Sequence, residues 1–257
     1  MSPLNRENLR FSRLTVQAQV LQQPAMAMAL LPGQTIQAPQ GFSAQAVARI
    51  YGEVAQHGLT SLQQVPGGAQ ASTPDGISTL VVTASTFQYV EDLTRSSIGN
   101  ALDHLGPLVE AYWRELTPGA VLLAQAVDLQ GVWEGIGESA VDFITHRFLR
   151  PAALRLVDDL GYEFKGGAIR LALSRPSQGA LPPGIGVVVL QGPVETIDMR
   201  IEPLFTDPTR LFLQVTGAFP PTVDQREIAR RADMIYQVTW DRLARNIVAR
   251  SQEEERQ

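Results

Sequence analysis

Between residues 9 and 20 the chain reads LRFSRLTVQAQV, and Leu14, Val16, Ala18 and Val20 fall at every second position. That is the period of a strand with one buried face. A continuation over 26–31 is expected after Pro24, and 32-PGQTIQAPQG-41 is a loop rich in turn formers. Val47, Ile50, Tyr51 and Val54 then recur at helical spacing, with Ser43 placed as the N-cap and Gly58 as the stop. The segment 66-PGGAQASTPDG-76 reads as a loop or weak strand turning at Pro74-Asp75-Gly76. Strands are predicted over 77–83 and 86–91. A helix follows within 94–116, carrying Ile98, Leu102, Leu105, Val109 and Tyr112 inward, and Gly106-Pro107 is expected to kink or interrupt it.

The second half repeats this order. A strand is predicted over 120–129 and a helix over 138–149, with Val141, Ile144 and Phe148 on one face. A short helix starting at Pro151 and ending at Gly161 comes next. Strand-like segments occupy 162–173, 184–191, 194–203 and 210–219. In 198-DMRIEPLFTDPTRLFLQVTG-217, Asp198, Arg200 and Glu202 share one face, and Ile197, Met199 and Ile201 share the other. The segment reads as an amphipathic hairpin turning at Asp207-Pro208-Thr209. Asp224 and Glu227 form a D-x-x-E capping box that opens a long helix with Ile228, Ile235, Leu243 and Ile247 inward. The expectation is an α+β protein of two similar halves, an internal duplication. Residues 1–117 and 118–250 would each hold an antiparallel sheet covered by long amphipathic helices, and 251–257 would be a polar tail.

Composition narrows the functions. The chain has 257 residues, a formal net charge of −5 and no cysteine. Disulfides, thiolate metal sites and cysteine nucleophiles are excluded, and a cytoplasmic protein is expected. Arg226, Arg230, Arg231, Arg242, Arg245 and Arg250 are interspersed with Glu227, Asp233 and Asp241, which reads as a solvated helix face. No nucleic-acid partner is expected. No apolar run reaches the ~20 residues of a membrane span, and 1-MSPLNRENLRFSRLTVQ-17 lacks a secretory h-region, so no membrane association is expected.

Candidate chemistry is sparse. His57, His104 and His146 have no metal-ligand spacing, and neither a metal nor a cofactor is expected. The string 135-GIGESA-140 is not a G-x-S-x-G elbow, and 131-GVWEGIG-137 lacks the third glycine of a dinucleotide fingerprint. Lys165, the single lysine, precedes Gly166 and Gly167; the trio is a candidate anion-binding turn, and a bulge within a β-ribbon explains it as well. Trp113, Tyr236 and Trp240 lie on helices that end the two halves and are candidate interface anchors.

The segment 111-AYWRELTPGAVLLAQAVDLQGVW-133 joining the halves, with 198-DMRIEPLFTDPTRLFLQVTG-217 before the last helix, resembles a sporadically distributed family of uncharacterised bacterial proteins of about this length. In that family an aromatic-bearing helix leads into a central strand, and a late hairpin precedes a C-terminal helix. The resemblance spans most of the chain and implies no activity. A self-associating, non-enzymatic binding or assembly protein is therefore expected first. A hydrolase with carboxylates and a histidine between the halves is the second reading. A small-molecule binder with an apolar cavity between sheet and helix is the third.

Overall fold

The strand predicted at the N-terminus forms as β1 (Leu9–Leu21), and the central one as β6 (Val121–Trp133). They pair antiparallel from Leu9↔Trp133 to Leu21↔Val121. That pairing organises the fold of this computed structural model, which describes residues 5–22, 41–136, 139–149, 167–176 and 194–254. On one flank lie β2 (Ser61–Val65), β3 (Gly68–Ser72), β4 (Ser78–Thr83) and β5 (Thr86–Asp92). On the other lie β7 (Ile169–Pro176), β8 (Val194–Leu204) and β9 (Asp207–Phe219). The order is β2-β3-β4-β5-β1-β6-β9-β8-β7, a single nine-stranded sheet whose pairings are all antiparallel.

This corrects the expected architecture of two similar halves, each with its own sheet under long helices. β1 and β6 would each be a long unpaired edge if the sheets were separate, and pairing them satisfies both rows of backbone groups. The helices are short. They are α1 (Ala44–Val54), α2 (Ile98–Trp113) and α3 (Ala140–Phe148), then α4 (Glu227–Gln237), which passes through a π-helical segment, Val238–Ala244, into α5 (Arg245–Glu254).

Period-two patterning gives the sheet two unlike faces. Leu14, Val16 and Ala18 of β1, Val127, Leu129 and Trp133 of β6, and Leu211, Leu213 and Val215 of β9 are buried together. Ile50 and Val54 of α1, Leu105, Leu108 and Tyr112 of α2, Phe143 and Ile144 of α3, and Ile228 and Ile235 of α4 complete that core. Met199 and Ile201 of β8 join it, as their alternation predicts. Gly217 lets α4 sit close: a Cβ there would lie 2.6 Å from Ile235 Cδ1. The other face is polar. Along one lateral row, Arg170, Arg200, Gln214, Gln130, Arg13 and Asp92 are successive partners across β7, β8, β9, β6, β1 and β5.

Local details refine the sequence reading. Ser43 caps α1 through the Ala46 N–H, and Gly58 closes the helical turn that follows with φ at 85°. Pro107 lies inside α2 without ending it. It sits on the exposed side of the helix. The late hairpin turns at Leu204–Asp207, earlier than expected, and Asp207 begins β9 with its carboxylate accepting the Thr209 N–H at 3.0 Å. The reciprocal capping box does not form. The Asp224 carboxylate accepts from the Arg226 N–H, and Glu227 pairs with Arg230 and Arg231 instead. The segments predicted at 26–31, 151–161 and 184–191 lie outside the described residues.

Candidate functional site

β7 is an outermost strand of the sheet among the described residues. Leu171 and Leu173 are 46% and 51% exposed, although their alternation matches that of the buried residues on β8. α4 reaches this edge only at its Arg175 end, where Arg175 Nη2 lies 3.9 Å from Met234 Sδ. A cleft of about 680 Å³ opens between it and the C-terminal helix, with Leu171, Leu173 and Ile197 on the sheet and Met234, Val238 and Leu243 on the helix.

One end of that cleft is fixed by a polar network. Arg175 lies opposite Glu195 in the β7–β8 ladder and pairs with it at 2.9 Å. The Arg231 guanidinium descends from α4 onto the Phe219 ring, 5.1 Å from its centroid. It donates to Gln125 Oε1 at 3.3 Å, and Gln125 in turn donates to the Ile228 carbonyl at 2.9 Å. Burial pulls Arg231 below the ordinary arginine value, while Glu227 and Glu195 oppose that pull. Together these contacts clamp α4 to the sheet and fix one wall of the cleft.

The polar face offers a shallower depression of about 320 Å³ lined by Arg170, Asp198, Arg200, Gln214 and Thr216. Its charges neutralise one another. Arg170 donates to both Asp198 oxygens at 3.0 to 3.1 Å, and Arg200 pairs with Glu202 at 2.6 Å. The Arg170 hydrogen bonds hold the Asp198 carboxyl below its usual range. Asp128 is equally occupied: Gln214 and Thr216 donate to Oδ1, and Gln130 to Oδ2, each at 2.7 Å. No carboxylate here resembles a poised general acid or base.

The histidines do not assemble a centre. The His57 and His104 rings lie 6.2 Å apart, His146 sits on α3, and no group of three metal-ligating side chains exists among the described residues. Buried polar chemistry appears at Glu91, which the sequence reading passed over. It accepts the Tyr89 hydroxyl at 2.7 Å on the buried face of β5. Of the candidate anion turn, Lys165 and Gly166 lie outside the described residues, and Gly167 stands just before β7.

The candidate interface aromatics separate into two places. Trp113 ends α2, half-buried, with its ring 6.4 Å from Tyr112. Tyr236 and Trp240 converge on Phe11 of β1, at centroid distances of 5.7 and 6.0 Å, and Arg6 stacks on Trp240 at 4.7 Å. They line a second cavity, of about 480 Å³, at one end of the sheet.

A scan against protein-family models finds no match to this chain, and a search of curated proteins finds none. No helix among the described residues is long and apolar enough to cross a membrane.

Proposed function

We propose that this protein is a non-enzymatic binding and assembly module that self-associates by joining β7 to β7 of a second copy. The observation that carries this reading is the pair of exposed leucines, Leu171 and Leu173, on a strand that is outermost among the described residues, beside a cleft of mixed apolar and polar lining. Long apolar edges are templates for strand addition, and this one lacks inward charges at its centre. Its sequence, IRLALSRP, suits a two-fold axis. Antiparallel pairing about Ala172 sets Leu171 against Leu173 of the second copy on the cleft side. On the polar side it sets Arg170 against Ser174, so no like charges are opposed. Trp113, Tyr236 and Trp240 are the alternative contact surface; Tyr236 and Trp240 pack on Phe11 within the chain and leave part of each ring at the sheet-end cavity. The proposed compartment is the cytoplasm, with neither nucleic acid nor membrane as partner.

Light scattering on the full chain tests this reading. A dimer is expected. Leu173→Asp should convert it to monomer, because each copy would bury an unpaired carboxylate against Leu171 of the other. The substitution falls at an exposed position of the single chain, so the dissociated chain should keep the native far-ultraviolet circular dichroism and still unfold cooperatively. A native chain that is monomeric throughout, or a Leu173→Asp chain that stays dimeric, refutes β7 pairing. Dissociation by Trp240→Ala alone would move the contact to the aromatic surface.

A further inference from the structure

The cavity at the sheet end is built by two backbone irregularities that nothing in the self-association reading uses. The first is a bulge in β1. Phe11 pairs with Gly131 and Arg13 with Gln130, so Ser12 is an extra residue in the ladder. Bulges re-aim side chains and recur beside functional sites. Lining the cavity are Phe11 and Ser12 at the bulge and Arg10 just before it. Gly131 makes room for it, since a Cβ there would lie 3.0 Å from the Arg10 carbonyl and 3.4 Å from the Phe11 ring. The second irregularity is the π-helical segment Val238–Ala244, which carries Trp240; Thr239 donates its hydroxyl to the Ile235 carbonyl at its start. π-turns also concentrate at functional sites.

The lining has a definite chemistry. Phe11, Tyr236 and Trp240 supply aromatic surface. Arg210 is committed to Glu134 and Asp207, at 3.3 and 3.0 Å. Arg10 is exposed and makes no ion pair among the described residues. The cavity is mostly apolar, with Arg10 uncommitted and the Glu134 carboxylate that also lines it held by Arg210, and its volume falls within the size of small-ligand sites. We infer that the sheet-end cavity binds a planar aromatic anion, with its ring system against Tyr236 and Trp240 and its anionic group on Arg10. Aromatic walls favour a flat ring by stacking, and the guanidinium selects a carboxylate, sulfonate or phosphate by charge-assisted hydrogen bonding.

The probe is 8-anilinonaphthalene-1-sulfonate, titrated into the full chain with excitation of the tryptophans. A saturable site with energy transfer is expected. A hydrogen bond to a charged group predicts that Arg10→Gln weakens binding about tenfold or more. Tyr236→Ala should weaken it as well. The uncharged N-phenyl-1-naphthylamine should bind native and Arg10→Gln chains alike. Arg10 is exposed, so its substitution should leave the thermal midpoint unchanged and its effect readable. The Leu173→Asp chain separates this cavity from the β7 cleft. If it binds the probe as the native chain does, the site is the sheet-end cavity, whatever the oligomeric state. If Leu173→Asp abolishes binding while Arg10→Gln and Tyr236→Ala do not, the probe occupies the cleft and the inference is overturned. Equal affinity of native and Arg10→Gln chains for the sulfonate overturns it too.

Discussion

Above about pH 10 the protein is expected to lose stability at roughly 2.7 kcal/mol per pH unit, because two tyrosines are locked in their neutral form. Tyr89 and Tyr112 are both fully buried. Burial raises both well above the ordinary tyrosine value, and at Tyr89 the neighbouring Glu91 carboxylate adds to the effect. An unfolded tyrosine titrates near pH 10. Below that pH both states keep the phenolic protons and the contribution is fully present. Above it the unfolded chain releases two protons that the folded chain retains, at about 1.4 kcal/mol per unit for each. Two pH units therefore cost roughly 5 kcal/mol, comparable to the whole stability of a typical domain. Tyrosinate absorbance and far-ultraviolet circular dichroism, followed together, check this. Both buried tyrosines should ionise only as the fold is lost. Titration of all five tyrosines near pH 10 with the fold intact would refute it.

The two tyrosines separate further by substitution. Tyr89 has Glu91 as its hydrogen-bond partner, whereas the Tyr112 hydroxyl is buried with none among the described residues. Tyr112→Phe removes an unsatisfied polar group, so stability at neutral pH should hold or rise, while the alkaline slope falls by about half. Tyr89→Phe should halve the slope equally but destabilise at neutral pH, since it strands Glu91 in the core.

Which face is buried could be read along β1 and β8, because the side-chain period decides it locally. Leu14, Val16 and Ala18, and likewise Met199 and Ile201, all fall where their alternation puts them. The self-neutralised row of Asp198, Arg200 and Glu202 was legible for the same reason. What joins the halves was not, because strand partners are chosen by contacts remote in sequence. The Leu14↔Leu129 and Val16↔Val127 pairs carry no local signal. β2 was missed entirely: SLQQV has no alternation to read, and its residues are exposed, so only the ladder with β3 makes it a strand. Pro107 does not interrupt its helix, because tertiary packing of the faces on either side of it outweighs the single backbone hydrogen bond it removes. The candidate sites were hidden for related reasons. Leu171 and Leu173 look like core residues, and only the fold shows them exposed at the edge of the sheet. The Ser12 bulge shows in LRFSRLTVQ only as a switch of the apolar positions from 9 and 11 to 14 and 16.

Trp133→Ala is expected to destabilise by about 3–5 kcal/mol, the range for emptying a buried aromatic site. Trp133 ends β6 on the helix-facing side, is 1% exposed, and lies between Leu9 of β1 and Leu211 of β9 in the ladder. Its indole Nε1 also donates to the Asn5 carbonyl at 2.7 Å. The two contributions can be ranked. The Asn5 carbonyl keeps a second donor, the Asn8 N–H at 3.1 Å, so losing the indole does not orphan it. The hydrogen bond is then worth about 1 kcal/mol, and packing accounts for the rest. Trp133→Phe keeps most of the apolar volume and loses the bond, so it should cost far less than the alanine variant. Denaturant unfolding measures both. The midpoint should fall strongly for Ala and modestly for Phe, with the slope unchanged if the denatured state is the same. Equal losses for the two variants would mean that the tie to Asn5, and not the filled space beside the β1–β6 junction, holds this end of the sheet.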